Sequence, residues 1–526
     1  MHMSQRNLRK FRWVISLLFL VSTALLFVDY RELVPEKWYN TMLFLQFVPS
    51  LINFIHVLSL AAAGFLIVLL LTLLFGRVYC STICPLGILQ DFFSFLSRKF
   101  KVRKKYRLKK PYSLIRYAFL AIPVIFLIFG GIFLVYLLDP YSNFGRIFSG
   151  LFRPALIGIN NIAAGIFEKM HVYFLYPVTF KGFHWATLWF PIGILGLIIW
   201  MSFFHGRLYC NTICPVGTLL GLLSRVSLYK IRLDKTTCTR CGKCSVVCKA
   251  GCIDFRNMSL DFDRCVGCFN CLDTCDTDSI KYGPALKPAV QQEIDKSSNS
   301  KREFITKSII YAAGLLGLSK SLKAHRRTLN TSHSNLIPED KNHPVSPPGS
   351  ISLKHMNDHC TACHLCITVC PTGVLQPSFL EYGFTGMMQP RMDYHTSYCN
   401  YDCTKCGEAC PTGAILPLET EVKKLTQTGR VHFVMQNCVV YTDNTACGSC
   451  SEHCPTQAVR MVPYKNGLTI PETHTGTCIG CGACEYACPV RPYRAIYVDG
   501  NVEHRMAKKP HFKEMEAESH EEEFPF

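Results

Sequence analysis

No glycine-rich loop follows a strand-like run anywhere in this chain of 526 residues, so neither a nicotinamide nor a flavin cofactor is expected. No triad-like constellation stands out either, which removes the usual nucleophilic hydrolases. The first apolar run, Trp13–Val28, lacks a small-residue cleavage site in "VSTALLFVDY". It therefore reads as an uncleaved membrane span rather than a signal peptide. Acid is missing from Arg98 to Lys110, where nine residues are Lys or Arg. That run lies between two apolar stretches, so it marks the cytoplasmic side of a membrane and not a nucleic-acid surface.

Cysteine is what the chain has in excess, 29 in all. A disulfide scaffold would be short, secreted and loop-rich, and this chain is none of these.

Four apolar stretches organise the first half: Trp13–Val28, Leu51–Phe75, Leu114–Leu138 and Trp185–Phe204. As helices the last three are long enough to cross a hydrocarbon core of about 30 Å, and the first is marginal. The basic N-terminus, the Arg98–Lys110 run and the group Arg225, Lys230, Arg232 and Lys235 all fall on one side, consistent with one topology. The connection from Asp139 to His184 is apolar and aromatic, and helices lying along the membrane surface are expected there. "GRVYCSTICPLG" at 76–87 is repeated as "GRLYCNTICPVG" at 206–217. Each copy follows an even-numbered span and ends in Cys-x3-Cys-Pro.

The expected fold is a membrane α-helical domain of four transmembrane helices plus α+β bacterial-ferredoxin-like domains. The boundaries read as 1–230 for the membrane domain and 231–284 for a two-cluster ferredoxin domain. A linker over 285–349, a four-cluster polyferredoxin domain over 350–505 and an acidic tail over 506–526 follow.

Six quartets account for all but five of the cysteines. Cys238, Cys241, Cys244, Cys248 and Cys265, Cys268, Cys271, Cys275 share the spacing x2, x2, x3. In that pattern three thiols grip one [4Fe–4S] cluster and the fourth reaches the neighbouring one. Cys275 is thus expected with Cys238, Cys241 and Cys244, and Cys248 with Cys265, Cys268 and Cys271. Lys249 and Asp276 stand where a proline usually follows. Zinc is the competing occupant, since four-thiolate sites also bind it.

The later quartets are Cys360, Cys363, Cys366, Cys370; Cys399, Cys403, Cys406, Cys410; Cys438, Cys447, Cys450, Cys454; and Cys478, Cys481, Cys484, Cys488, each followed by Pro. The outer two and the inner two are expected to exchange fourth ligands. Cys80, Cys84, Cys210 and Cys214 form the repeated motif at the inner ends of helices two and four. They read as a further metal centre, as redox-active thiols or as structural residues. Cys252 is left over and reads as a small buried residue. His56, His171, His184 and His205 lie in or near the membrane region, where each could contact a quinone.

With these motifs in view, the first 280 residues resemble the NapH type of membrane ferredoxin, which includes the C-terminal part of the nitrous-oxide-reductase maturation protein. From about residue 300, "SPPGSISLKHMNDHCTACHLC" and "CIGCGACEYACP" resemble the NapG (MauM-like) type, a four-cluster ferredoxin exported by the twin-arginine route. The resemblance implies a fusion of two subunits of a quinol dehydrogenase that feeds periplasmic reductases. It makes "SKREFITKSIIYAAGLLGLSK" at 300–320 an internal remnant of the export signal, with Lys301-Arg302 in place of two arginines. The implied protein sits in a bacterial inner membrane, with 231–284 cytoplasmic and 350–526 periplasmic. Its expected cofactors are six [4Fe–4S] clusters and a further metal centre at the Cys-x3-Cys-Pro motifs. Its expected partners are membrane lipid, quinol and a soluble or membrane-associated redox partner, with no nucleic acid. The alternative is a maturation factor that supplies electrons for cofactor assembly in another enzyme.

Overall fold

The computed structural model describes residues 5–31, 33–57, 63–101, 106, 108, 112–179, 185–285 and 336–509. His184, the 300–320 segment, most of the Arg98–Lys110 run and the tail from residue 510 lie outside these, as does the side chain of His56.

The first expected span is α1 (Gln5–Val28). The second is broken into α3 (Phe47–Val57) and α4 (Gly64–Phe75), after a short α2 (Glu36–Phe44). Next come α5 (Tyr79–Thr82) and α6 (Pro85–Lys99). The third expected span is divided into α7 (Ser113–Ile128) and α8 (Phe133–Leu138). Gly130, at φ 83°, turns the chain between them in a conformation that glycine takes without steric cost.

Asp139 then caps α9 (Pro140–Ile147), its carboxylate accepting from the Ser142 N–H at 2.8 Å. Helix α9 continues through a π-helical stretch, Phe148–Phe152, into α10 (Arg153–Lys169). The sequence suggested surface helices here. By length and composition Pro140–Lys169 is one of three helical stretches among the described residues long and apolar enough to cross a membrane, with Asn7–Val28 and Thr187–His205. Helices α11 (Trp185–His205), α12 (Leu208–Thr212) and α13 (Pro215–Ser224) complete this half.

The first ferredoxin module pairs β1 (Tyr229–Leu233) antiparallel with β4 (Ile280–Pro284), Ile231 opposite Tyr282. Between them lie α14 (Lys243–Val247), the small hairpin of β2 (Ile253–Asp254) and β3 (Ser259–Leu260), and α15 (Asn270–Thr274). The second module is also built from two-stranded antiparallel pairs. These are β5 (Leu375–Pro377) with β6 (Pro390–Met392), β7 (Thr426–Phe433) with β10 (Ile496–Met506), and β8 (Val459–Pro463) with β9 (Thr469–Thr473). Such small sheets bury little, and the cysteine loops fill the space between them.

Helix α1 reaches both modules. At its N-terminal end Arg9 pairs with Asp273 on α15. At its other end Phe27 packs against Tyr141 and Phe144 of α9 and against Gly145. Gly145 also abuts the carbonyl of Cys363, where a Cβ would come within 2.3 Å. Arg146 locks this junction, donating from Nε to the Ala362 carbonyl at 2.8 Å and from Nη2 to that of Thr361 at 3.1 Å. Tyr136 donates to the carbonyl of Thr385, and Phe133 packs on Phe384. The 24 residues of α1 span about 36 Å at 1.5 Å per residue. The two modules therefore sit at opposite ends of a helix as long as a membrane is thick.

Candidate redox centres

The first module brings Cys271 near Cys265, Cys268 and Cys248, and Cys244 near Cys238 and Cys241. Cys248 thus crosses to the later loop, as the spacing suggests. Cys252 is buried in the core of this module, as expected. Its sulfur lies 3.5 Å from that of Cys248 and it also bonds Cys265.

In the second module the exchange differs from expectation. Cys410 joins Cys360, Cys363 and Cys366, while Cys370 joins Cys399, Cys403 and Cys406. Likewise Cys488 joins Cys438, Cys447 and Cys450, and Cys454 joins Cys478, Cys481 and Cys484. Consecutive quartets swap, because each pair of cysteine loops folds face to face across its own small sheet. Two of these groups surround hollows of about 20 Å³, one lined by Cys438, Cys447, Cys450 and Cys488, the other by Cys370, Cys399, Cys403 and Cys406.

Four-thiolate sites hold either zinc or an iron–sulfur cluster. Among the described residues, the one group of three ligand atoms within 4.8 Å of one another is Glu339, His395 and Glu485, with no cysteine in it. Four thiolates around one zinc at 2.3 Å would be about 3.8 Å apart. A cubane with one thiolate on each of four irons needs the wider spacing. Burial pushes the thiols of Cys363, Cys450 and Cys481 up to about 12, with repulsion from neighbouring thiols adding to it. Four clustered thiolates at such a place need a cationic core to stabilise them.

The repeated motif builds a pseudo-symmetric centre. Cys80, Cys84, Cys210 and Cys214 are each 3% exposed and share one core cluster. The first Gly of each copy, Gly76 and Gly206, takes a positive φ of 78° and 68°. The arginines cross over: Arg77 donates to the Cys210 carbonyl at 3.1 Å, and Arg207 to that of Cys80 at 2.6 Å. The last Gly of each copy makes room for this. A Cβ on Gly87 would lie 2.2 Å from the Cys80 oxygen, and one on Gly217 2.3 Å from the Cys210 oxygen. Pro85 and Pro215 start α6 and α13, so Cys84 and Cys214 stand at helix N-termini, where anionic sulfur is favoured. Gln90 donates to the Cys210 sulfur at 3.3 Å.

Charge around this centre is unbalanced. Arg12, Arg77, Arg207 and Lys249 are all buried, and Asp91 is the carboxylate that Arg12, Arg207 and Lys249 share. Asp91 accepts from Arg207 at 2.8 Å and pairs with Arg12 and Lys249 at 3.1 Å each. Arg77 Nε and Arg207 Nη2 have no partner among the described residues. Buried cations in such excess call for a further anion. A [4Fe–4S] core held by four thiolates is anionic in both redox states, so the donor set fits one.

Of the sequence-suggested histidines, His171 lies exposed in a turn and the His205 ring packs tilted against Trp200 at the end of α11. A different one, His364, is buried between the second module and the membrane helices. Its Nε2 lies 2.9 Å from the Met388 carbonyl and its Nδ1 3.3 Å from Ser149 Oγ. Burial and Arg146 push it down to about 3, so the ring is neutral. The cue in the sequence was its place inside "CTACHLC".

The 4Fe-4S binding domain model matches residues 58–103 and 187–235, the two segments that carry Cys-x3-Cys-Pro. The 4Fe-4S dicluster domain models match 444–492 and 261–374. The second of these runs across the linker and combines cysteines that the fold holds at opposite ends of α1. The chain is 29% identical over 154 residues to the ferredoxin-type protein NapF of Escherichia coli (strain K12), which covers 29% of this chain and 85% of that protein. It is 34% identical over 152 residues to the methylamine utilization ferredoxin-type protein MauM of Methylophilus methylotrophus, 27% of this chain and 66% of MauM. With the ferredoxin-type protein NapG of E. coli it shares 25% over 205 residues, 37% of this chain and 83% of NapG. No solved structure matches. The relatives and the domain models together make the chain a polyferredoxin.

Proposed function

We propose that this polyferredoxin is a membrane quinol dehydrogenase, which oxidises a lipid-soluble quinol and hands single electrons through [4Fe–4S] clusters to a periplasmic reductase. Its six ferredoxin quartets would each hold one cluster, and Cys80, Cys84, Cys210 and Cys214 a seventh. The first module would face the cytoplasm and the second the periplasm.

One observation carries this reading. A single core cluster contains the four motif cysteines, then Tyr79 and Tyr209, then Tyr141 and Phe144 of α9, and then Cys363 of the second module. On its other side the motif touches the first module, Ser81 donating to the Gly267 carbonyl and the Arg207 N–H to that of Lys249. Only α9 separates the motif from Cys363, a thickness of about 10 Å. Clusters supply the one-electron chemistry once bound. The protein's part is to hold the thiolates, exclude water with the tyrosines and offset charge with Arg77 and Arg207.

The test is anaerobic addition of a short-chain quinol to purified protein, followed by electron paramagnetic resonance. Reduction of the clusters supports the reading. Clusters that dithionite reduces and quinol leaves oxidised would overturn it.

A further inference from the structure

The structure points to a place for the quinol, an inference that rests on the function just proposed. A cavity of about 540 Å³ opens where α10 and α11 meet the second module, within the size range of small-molecule sites. We propose that it holds the quinol ring, beside two clusters on the face opposite the first module.

Three features argue for it. The first is access from lipid. Ile157, Leu188 and Pro191 line the cavity. Ile159 on α10 and Trp189 and Ile192 on α11 are exposed apolar side chains of the same helices. A molecule dissolved in the bilayer reaches the cavity without crossing water.

The second is contact with the redox groups. Cys370 lines the cavity together with Ile367 and Thr368. These belong to the loop that carries Cys363 and Cys366 to one cluster site and Cys370 to the next. A quinol gives up two electrons, and the two clusters that Cys370 and its loop would help to hold would supply the one-electron acceptors for them. The balance is one quinol and two oxidised clusters in, one quinone, two reduced clusters and two protons out.

The third is unsatisfied polarity. Arg153 donates from Nη2 to the Thr368 carbonyl at 2.8 Å, but its Nε has no partner among the described residues. That donor suits a quinone oxygen. Asp29 also lines the cavity; its carboxylate accepts from the Arg31 and Val34 N–H groups at 3.0 and 2.9 Å and has lone pairs left for a quinol hydroxyl.

Pocket variants and a photoreactive azidoquinone test this on the full chain. Gly150 lies against Pro191, its Cβ position 3.4 Å from the proline ring, so Gly150→Phe puts a ring into the cavity. Arg153→Met removes the unpaired donor. The azidoquinone is expected to label peptides within 149–157 and 364–376. Gly150→Phe is expected to abolish this labelling, and Arg153→Met to weaken quinone binding about tenfold, the worth of one hydrogen bond. Iron content and dithionite-reduced spectra report that the clusters stay intact. Labelling elsewhere that neither variant changes would overturn the site, as would a cavity that retains phospholipid and resists displacement by quinone. Labelling here without reduction of the clusters by quinol would instead remove the proposed activity and leave the site standing.

Discussion

Replacing Cys84 and Cys214 together by Ser removes two of the four thiolates at the motif centre and should sever the two modules electrically. Iron should fall from about 28 to about 24 atoms per chain, one four-iron cluster of seven. With the centre gone, an electron entering at the second module must cover in one jump of more than about 20 Å what the centre divides into steps of about 10 Å. Tunnelling falls off exponentially with distance, so the first module becomes unreachable on the turnover timescale. On the proposed reading two of the six ferredoxin clusters would lie in that module, so quinol should reduce about two thirds of the ferredoxin signal and leave the rest oxidised. Dithionite, which reaches both modules from water, should reduce all six. The assay is stopped-flow absorbance with freeze-quenched paramagnetic resonance. If quinol reduces the first module in the double variant as fast as in the parent protein, the four motif cysteines are not the bridge.

Asp91→Asn takes the shared carboxylate from Arg12, Arg207 and Lys249. Breaking a buried pair costs about 3–5 kcal/mol, so a lower melting temperature and faster proteolytic release of the first module are expected. Cys252→Ala removes the thiol 3.5 Å from Cys248; iron should stay unchanged while one first-module cluster shifts to a lower reduction potential, read by redox titration. His504 is held near 4 by burial, against about 6.5 when unfolded, so the unfolded state binds the extra proton between those values. Stability of the second module is thus full above about pH 6.5 and lost as pH falls towards 4, by about 3 kcal/mol; His504→Gln should flatten that dependence in thermal melts followed by cluster absorbance. A reporter active only outside the cytoplasm should work when fused after Gly349 and fail when fused after Lys281; activity of both or neither would contradict the opposed modules.

The cysteine spacing made the cluster sites legible, because a thiolate quartet on a tight loop has few other uses. It did not reveal which quartets exchange ligands. That depends on which loops fold face to face, and Cys370 and Cys410 look alike in sequence although each serves the other's site. The span at 51–75 was misjudged as continuous because hydropathy records composition and not the breaks between α3 and α4. The repeat announced a centre, but the reason for its glycines appears only in three dimensions, where Arg77 and Arg207 cross and leave no room for a Cβ. His364 was passed over because its one cue, its place inside "CTACHLC", does not tell what packs over it; its importance comes from the helices that close over it. The same opposition of modules bears on the linker. Ala285 is hydrogen-bonded to Leu228 at the first module, and Ile337 to Asn437 at the second. If those ends face opposite compartments, the chain between them must cross the bilayer once more. The apolar run in that stretch of sequence is Ile309–Leu318, which begins seven residues after Arg302 and at ten residues is short of a full helical span. On the proposed reading, clusters assembled inside would pass outward with a folded second module, and Lys301-Arg302 stands where the family's export signal has two arginines.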